Sequence, residues 1–262
     1  MDLGLKDTVV LVTGGSKGIG LACARGFVAE GARVAIAARD AGNLAKAKAA
    51  LEAEGVQVLA LAADLGSPGE AAQLVREVEA ALGPIGVLVN SAGAARRTPP
   101  AELTAAHWHA AMDAKYFTTM HAIDAVLPGM AQRGRGAIVN VVGMGGKLAS
   151  PIHLPGGAAN AALMLASAGL ANAFAPKGVR VNAVNPGMTS TGRMQEGLEA
   201  EARLTGRPVD EILQQKTRAM PLGRIATPQE VADVVVFLAS PRAGYVSGAV
   251  VSLDGAATPA VV

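Results

Sequence analysis

Short apolar runs alternate along the chain with amphipathic or alanine-rich stretches, and the alternation predicts strand and helix in turn. Val9–Val12 is apolar throughout and stops at Thr13, the pattern of a strand covered on both faces. A helix over Leu21–Glu30 and an apolar strand over Arg33–Ala38 follow. The same reading predicts helix Asn43–Glu54, strand Val56–Ala62, helix Gly69–Leu82 and strand Val87–Asn90. A long helix over Ala101–Gln132, broken near Pro128, leads to strand Ala137–Val142. After a glycine-laden loop and an uncharged helix come strand Val179–Asn185, a helical excursion over Thr191–Met220, helix Pro228–Leu238 and strand Val250–Leu253. Such regular alternation predicts an α/β fold. One doubly wound parallel sheet should carry helices on both faces and bind ligands at the carboxyl ends of its strands. At 262 residues the chain is expected to form a single domain, 1–262.

The first strand dissolves into Gly14-Gly15-Ser16-Lys17-Gly18-Ile19-Gly20 before helical spacing begins. Glycines at 14, 18 and 20 suit a tight reversal, a backbone approach to phosphate and close packing of a helix start. The free N–H groups and dipole of that helix start make an anion site. Being the first strand and followed by a second apolar strand, the turn stands in the context that a Rossmann-like dinucleotide site requires. Two more strands end in small or polar residues, at Ala63-Asp64-Leu65 and at Ser91-Ala92-Gly93.

Hydrophobic residues make up 51% of the chain but aromatics only 3%, so the core should rest on small aliphatic side chains. The net charge of +2 is spread over interspersed acids and bases, a distribution without the footprint of a nucleic-acid or anionic-membrane partner. Cys23 alone supports neither a disulfide framework nor a metal cluster, which suits a reducing, cytoplasmic setting. The N-terminal MDLGLKD has no basic n-region or apolar h-region. Leu148–Pro176 carries no Asp, Glu, Lys or Arg, yet prolines, glycines and asparagines interrupt it. Its alanine-rich helix reads as buried against protein rather than in lipid, and small residues on most of its sides imply a partner helix. A homodimer or homotetramer is the expected assembly.

The chain resembles the short-chain dehydrogenase/reductase family over essentially its whole length. The motifs that carry the resemblance are Thr13-Gly14 to Gly20, Asp64, Asn90-Ser91-Ala92-Gly93, Val179-Arg180-Val181-Asn182, Pro186-Gly187 with Thr191, Pro221-Leu222-Gly223-Arg224, and Ser247-Gly248 with Asp254-Gly255. The resemblance implies a nicotinamide cofactor. Gly14, Ser16, Lys17, Gly18, Ile19 and Gly20 would hold it, with Asp64 and Leu65 at the adenine and Asn90, Ala92 and Gly93 at the ribose. Pro186, Gly187, Met188, Thr189 and Thr191 would meet the nicotinamide end, and about 191–220 would form a substrate lid. Charge bears on which cofactor: no acid follows the second strand to accept from a ribose hydroxyl, whereas Arg39 and Lys17 stand where a phosphate would lie, so NADP(H) is expected. No metal site is expected.

The family's catalytic tetrad of Asn, Ser, Tyr and Lys maps by the same resemblance onto Lys115, Gly143, Gly156 and Asn160, none of which matches. No tyrosine lies between Gly143 and Asn172. Loss of a general acid costs about 100- to 10,000-fold in rate, so ordinary carbonyl reduction is not expected. Three substitutes stand in the right stretches: His153 as an acid, Lys115 as an oxyanion partner, and the bare N–H groups that follow Pro155. Two readings follow. One is an NADP(H)-binding protein without reductase turnover, acting as a sensor, scaffold or partner of an active homologue in a hetero-oligomer. The other is an atypical NADP-dependent oxidoreductase, acting on a carbonyl or secondary alcohol, that uses His153 or Lys115.

Overall fold

The computed structural model describes residues 2–93 and 95–259. Its seven strands are β1 (Val9–Thr13), β2 (Arg33–Ala38), β3 (Val58–Ala62), β4 (Ile85–Asn90), β5 (Gly136–Val141), β6 (Val179–Pro186) and β7 (Val250–Leu253). They form one parallel sheet in the order β3-β2-β1-β4-β5-β6-β7. All five residues of β1 are buried, as its unbroken apolar run requires of a strand covered on both faces.

Helices α1 (Gly18–Ala29), α2 (Ala41–Ala53) and α9 (Pro228–Ala239) cover one face. Phe27 of α1 and Val231, Val235 and Val236 of α9 share a core there with Val10, Val12, Val34 and Ile36. The other face carries α3 (Pro68–Leu82), α5 (Thr118–Gln132) and α6 (Leu154–Phe174), whose Leu74, Val78, Ile123 and Leu127 pack on Leu11, Leu88 and Ile138. Helices α7 (Gly192–Thr205) and α8 (Val209–Arg218) fill the expected excursion after β6 as two pieces. The break falls where Gly206 takes φ +70° as a left-handed cap and Pro208 follows.

Several boundaries move for local reasons. Helix α1 begins at Gly18, three residues before the apolar spacing shows it, while α2 starts at Ala41 because Asp40 accepts from the Asn43 N–H at 2.6 Å as its N-cap. The long helix expected over Ala101–Gln132 is interrupted well before Pro128. A 3₁₀ turn (Pro100–Glu102) and α4 (Ala105–Ala111) lead into a π-helical segment over Met112–Phe117, and α5 then runs through Pro128. The Asp113 carbonyl accepts the Thr118 N–H at the π-helical spacing of five residues, and Thr118 Oγ1 donates to the same oxygen at 2.8 Å. Pro128 lies in the penultimate turn, and the carbonyl it strands belongs to the exposed Asp124, where water can satisfy it, so α5 continues to Gln132.

Candidate functional site

The strand order reverses between β1 and β4, and their carboxyl ends meet there. Gly14 has φ +66°, and a Cβ on it would lie 2.7 Å from Ser91 O and Ala92 N, so only glycine lets these two ends close on each other. A Cβ on Gly20 would lie 2.8 Å from the Gly14 carbonyl carbon, which fixes the start of α1 against the same point. The N-cap, Lys17, has no side-chain hydrogen bond to α1, whose first turn contains no acid. Its first amides therefore face the crevice uncapped, an anion site built from backbone. Ser16 and Ile19 flank this turn. The loop after β6 lies over it: a Cβ on Gly18 would come 3.4 Å from Thr191 Cγ2. That loop is held by Gly187 N–H to Leu253 O at 3.0 Å, by a bridge from Thr189 to Ala226, and by Ala226 N–H to Met188 O at 3.1 Å. Thr191 caps α7, its Oγ1 accepting from the Met194 N–H.

Arg39, Asp64 and Lys17 all reach this end of the sheet exposed. Neither Arg39 nor Lys17 has an ion-pair partner among the described residues; Asp40, the obvious candidate for Arg39, is committed to its cap. The Asp64 carboxylate accepts from the Gly66 N–H at 3.0 Å beside the buried Leu65. The Asn90 side chain is 2% exposed and turned into the sheet, where Nδ2 donates to Asn140 Oδ1 at 2.9 Å and Oδ1 accepts from Thr13 Oγ1 at 3.4 Å. Asn140 Nδ2 in turn donates to Ser167 Oγ, and that hydroxyl to Leu163 O. This buried line ties β1, β4, β5 and α6 together below the site and leaves only the backbone of Asn90 and Ala92-Gly93 to face the crevice.

Beyond β5, four elements converge. The π segment turns Lys115 inward, 9% exposed, and its Nζ donates to Val142 O at 3.2 Å. Gly143 follows at φ +124°, its N–H donating to Asn185 Oδ1, and its carbonyl accepts from Asn160 Nδ2 at 3.4 Å. A 3₁₀ turn over Pro151–His153 swings the His153 ring onto Gly156: a Cβ there would lie 2.6 Å from His153 Nε2 and 2.7 Å from Ala95 Cβ. Asn160 Oδ1 and His153 Nδ1 are buried with no hydrogen-bond partner among the described residues. The His153 ring thus packs against the first turn of α6, whose bare N–H groups are the third candidate.

Electrostatics separates the two candidate acids. Burial, then the nearby Arg193, pushes the Lys115 ammonium down to about 8. Burial, then the positive charges of Lys115, Arg97 and Arg193, pushes His153 down to about 4. His153 is therefore neutral near pH 7, because one cation is not added readily among three. Its unfolded form takes up a proton near pH 6.5 and its folded form only near 4, so folding stability falls as pH drops through that interval. Denaturation midpoints measured from pH 7 to 4 should show this slope, and His153→Gln should flatten it.

Arg97 and Arg193 escape a sequence reading. Arg193 Nη1 donates to Gly93 O at 2.9 Å, and Arg97 leans on α7 with Cζ 3.8 Å from where a Cβ of Gly197 would stand. Neither lies in a motif, and only the packing of the loop after β4 against α7 brings both to His153.

The fold and this crevice can be set beside known proteins. A family model described as enoyl-(acyl carrier protein) reductase matches residues 14–258. The chain belongs to the short-chain dehydrogenase/reductase family. It is 34% identical to 2-(S)-hydroxypropyl-CoM dehydrogenase 3 of Xanthobacter autotrophicus, with 97% of this chain and 98% of that one covered. It is 33% identical to gluconate 5-dehydrogenase of Gluconobacter oxydans, with 97% and 96% covered. Among solved structures, L-sorbose reductase from Gluconobacter frateurii, complexed with NADPH and L-sorbose, superposes with a TM-score of 0.92 at 31% identity over all of both chains. An NADPH-bound short-chain oxidoreductase from Pseudomonas aeruginosa PAO1, described as containing an atypical catalytic center, superposes at 0.88 with 33% identity, covering 98% of this chain and 99% of that one.

Proposed function

We propose that the protein is an NADP(H)-dependent oxidoreductase of a carbonyl or secondary alcohol in which Lys115 takes over the proton transfer, so that it is not an ordinary carbonyl reductase of its family. The observation that carries this reading is a buried lysine held near neutral pKa where the crevice ends. A pseudo-site under no chemical demand has no reason to keep an ammonium out of water, at a cost that a methionine in the same space would avoid. Lys115, Gly143, Gly156 and Asn160 stand, in this reading, where the family has its tetrad.

The residues fit a dinucleotide. The Gly14–Gly20 cradle, which a Cβ at 14 or 20 would fill, leaves backbone N–H groups for the pyrophosphate. Gly14, Ser16, Gly18, Ile19 and Gly20 would hold it there. Asp64 and Leu65 would meet the adenine, the backbone of Asn90, Ala92 and Gly93 the ribose, and Pro186, Gly187, Met188, Thr189 and Thr191 the nicotinamide end. Bound there, the cofactor supplies or accepts the hydride. Lys115 does the rest: in reduction its Nζ–H goes to the substrate oxygen as negative charge builds on it, and the neutral amine left behind is reprotonated from solvent. A donor whose pKa is near 8 is mostly charged at pH 7 yet yields its proton readily. His153, neutral, can supply one N–H bond beside it. The helices α7 and α8 close over this end as the substrate lid.

NADP(H) is favoured by Arg39 and Lys17 at the ends of β2 and β1, which pair with no acid among the described residues. A charge-assisted hydrogen bond contributes about 1.5–3 kcal/mol, so Arg39→Ala and Lys17→Ala should each weaken NADPH binding about 10- to 100-fold and leave NADH nearly untouched. Equal losses for both nucleotides in fluorescence titrations would contradict the assignment. The outward face of α6, with Leu165 78% exposed among alanines, supports a homo-oligomer built on that helix. A cytoplasmic location is in keeping with this chemistry.

A further inference from the structure

Lys115, Arg97 and Arg193 all lie close enough to His153 to act on its charge. Gly93 joins Lys115 to Arg193: a Cβ on Gly93 would lie 3.5 Å from Lys115 Cγ, and the Gly93 carbonyl accepts from Arg193 at 2.9 Å. Arg97 approaches from the opposite loop, against α7. None of the three makes an ion pair among the described residues. The nearest acid on α7, Glu196, stays beyond ion-pair distance of Arg193, and Asp113 is exposed on the π segment. Two guanidinium groups at the mouth and an ammonium at the floor repel one another, and an anion between them would turn that repulsion into attraction.

We propose that the substrate carries an anionic group, a carboxylate or a phosphate, which Arg193 and Arg97 hold at the mouth of the crevice while its carbonyl oxygen points down to Lys115. The second half of that statement rests on the oxidoreductase reading; the first does not. Guanidinium forks match either anion in bidentate geometry. The cofactor's own phosphates are expected at the start of α1 and at Arg39, which leaves Arg193 and Arg97 free for a second anion.

The test is calorimetric titration of the NADP⁺-saturated protein with two matched pairs, levulinate against methyl levulinate and dihydroxyacetone phosphate against dihydroxyacetone. At least one anion should bind about 10-fold or more tighter than its neutral counterpart, with the advantage shrinking as salt is raised. Whichever pair shows the larger advantage distinguishes carboxylate from phosphate. Arg193→Gln and Arg97→Gln should each reduce the advantage while NADPH affinity is unchanged. Equal binding of both members of each pair, no binding by either anion, or a loss of NADPH affinity in Arg193→Gln equal to the loss for the anion would overturn the proposal. Tight anion binding without any NADPH oxidation would uphold the anion site and sink the proton-transfer reading. Fast reduction of the neutral ketones with no preference for anions would do the reverse.

Discussion

Lys115→Met should lower turnover about 100- to 10,000-fold, the range expected when a general acid is removed. The same change should leave NADPH affinity intact and make the protein more stable. The ammonium titrates near 8 in the fold and near 10.5 when unfolded, a difference equivalent to about 3 kcal/mol against folding at neutral pH. Methionine fills the space without that cost. It leaves Val142 O unpaired, a loss of about 1–2 kcal/mol, so the net gain should be about 1–2 kcal/mol, or several degrees in Tm. The wild type should show the sign directly. The unfolded state binds more protons than the native state between pH 8 and 10.5, so the Lys115 contribution to stability rises with pH across that window, and Lys115→Met should lack the rise. Steady-state kinetics and thermal denaturation of one purified variant check both halves. Retained activity in Lys115→Met would remove the proton donor from the account.

Restoring the family's side chains should fail. In the combination Gly143→Ser, Gly156→Tyr and Asn160→Lys, each change meets its own obstacle. At φ +124° a serine at 143 is strained by about 1–3 kcal/mol. The Cβ of a tyrosine at 156 lands between His153 and Ala95 and overpacks that contact by about 1–3 kcal/mol. A lysine at 160, where the asparagine is 2% exposed, buries a second ammonium next to the first. Together these should cost at least about 3 kcal/mol in urea denaturation and yield no reductase. Adding His153→Ala should recover part of the loss, because it vacates the space that the tyrosine needs; coupling of about 0.5–3 kcal/mol is expected for residues in contact. A triple variant as stable as the wild type would show that the pocket had not been rebuilt around His153 and Lys115.

The strands were legible in the sequence because a parallel sheet covered on both faces needs short apolar runs bounded by turn residues, as Val9–Val12 shows before its glycines. The glycine turn was legible too, since positive φ at Gly14 and the closeness of Gly20 to its backbone leave room only for hydrogen. The π segment was not. Met112–Phe117 keeps the composition of a helix, and the extra residue per turn that swings Lys115 inward leaves no mark on an apolar pattern. The fate of Asn90 was hidden as well, because its partners Asn140 and Ser167 come from later elements and only the sheet register brings them together. Arg97 and Arg193 belong to the same class: two ordinary loop and lid arginines whose meaning arises from a shared neighbour, His153, and from the buried Lys115 that acts on the same ring. The sequence placed His153 correctly in front of α6. Its protonation state depends on three cations and on burial, none of which is local in sequence.

Stopped-flow recording of NADPH oxidation against a panel of carbonyl compounds, followed from pH 6 to 10, tests the central claim most directly. The expected result is a hydride-transfer rate that holds at low pH and declines above about pH 8 as Lys115 loses its proton. NADPH that binds tightly and is oxidised by no compound at any pH would contradict it, and would leave the chain a nucleotide-binding member of its family without redox turnover.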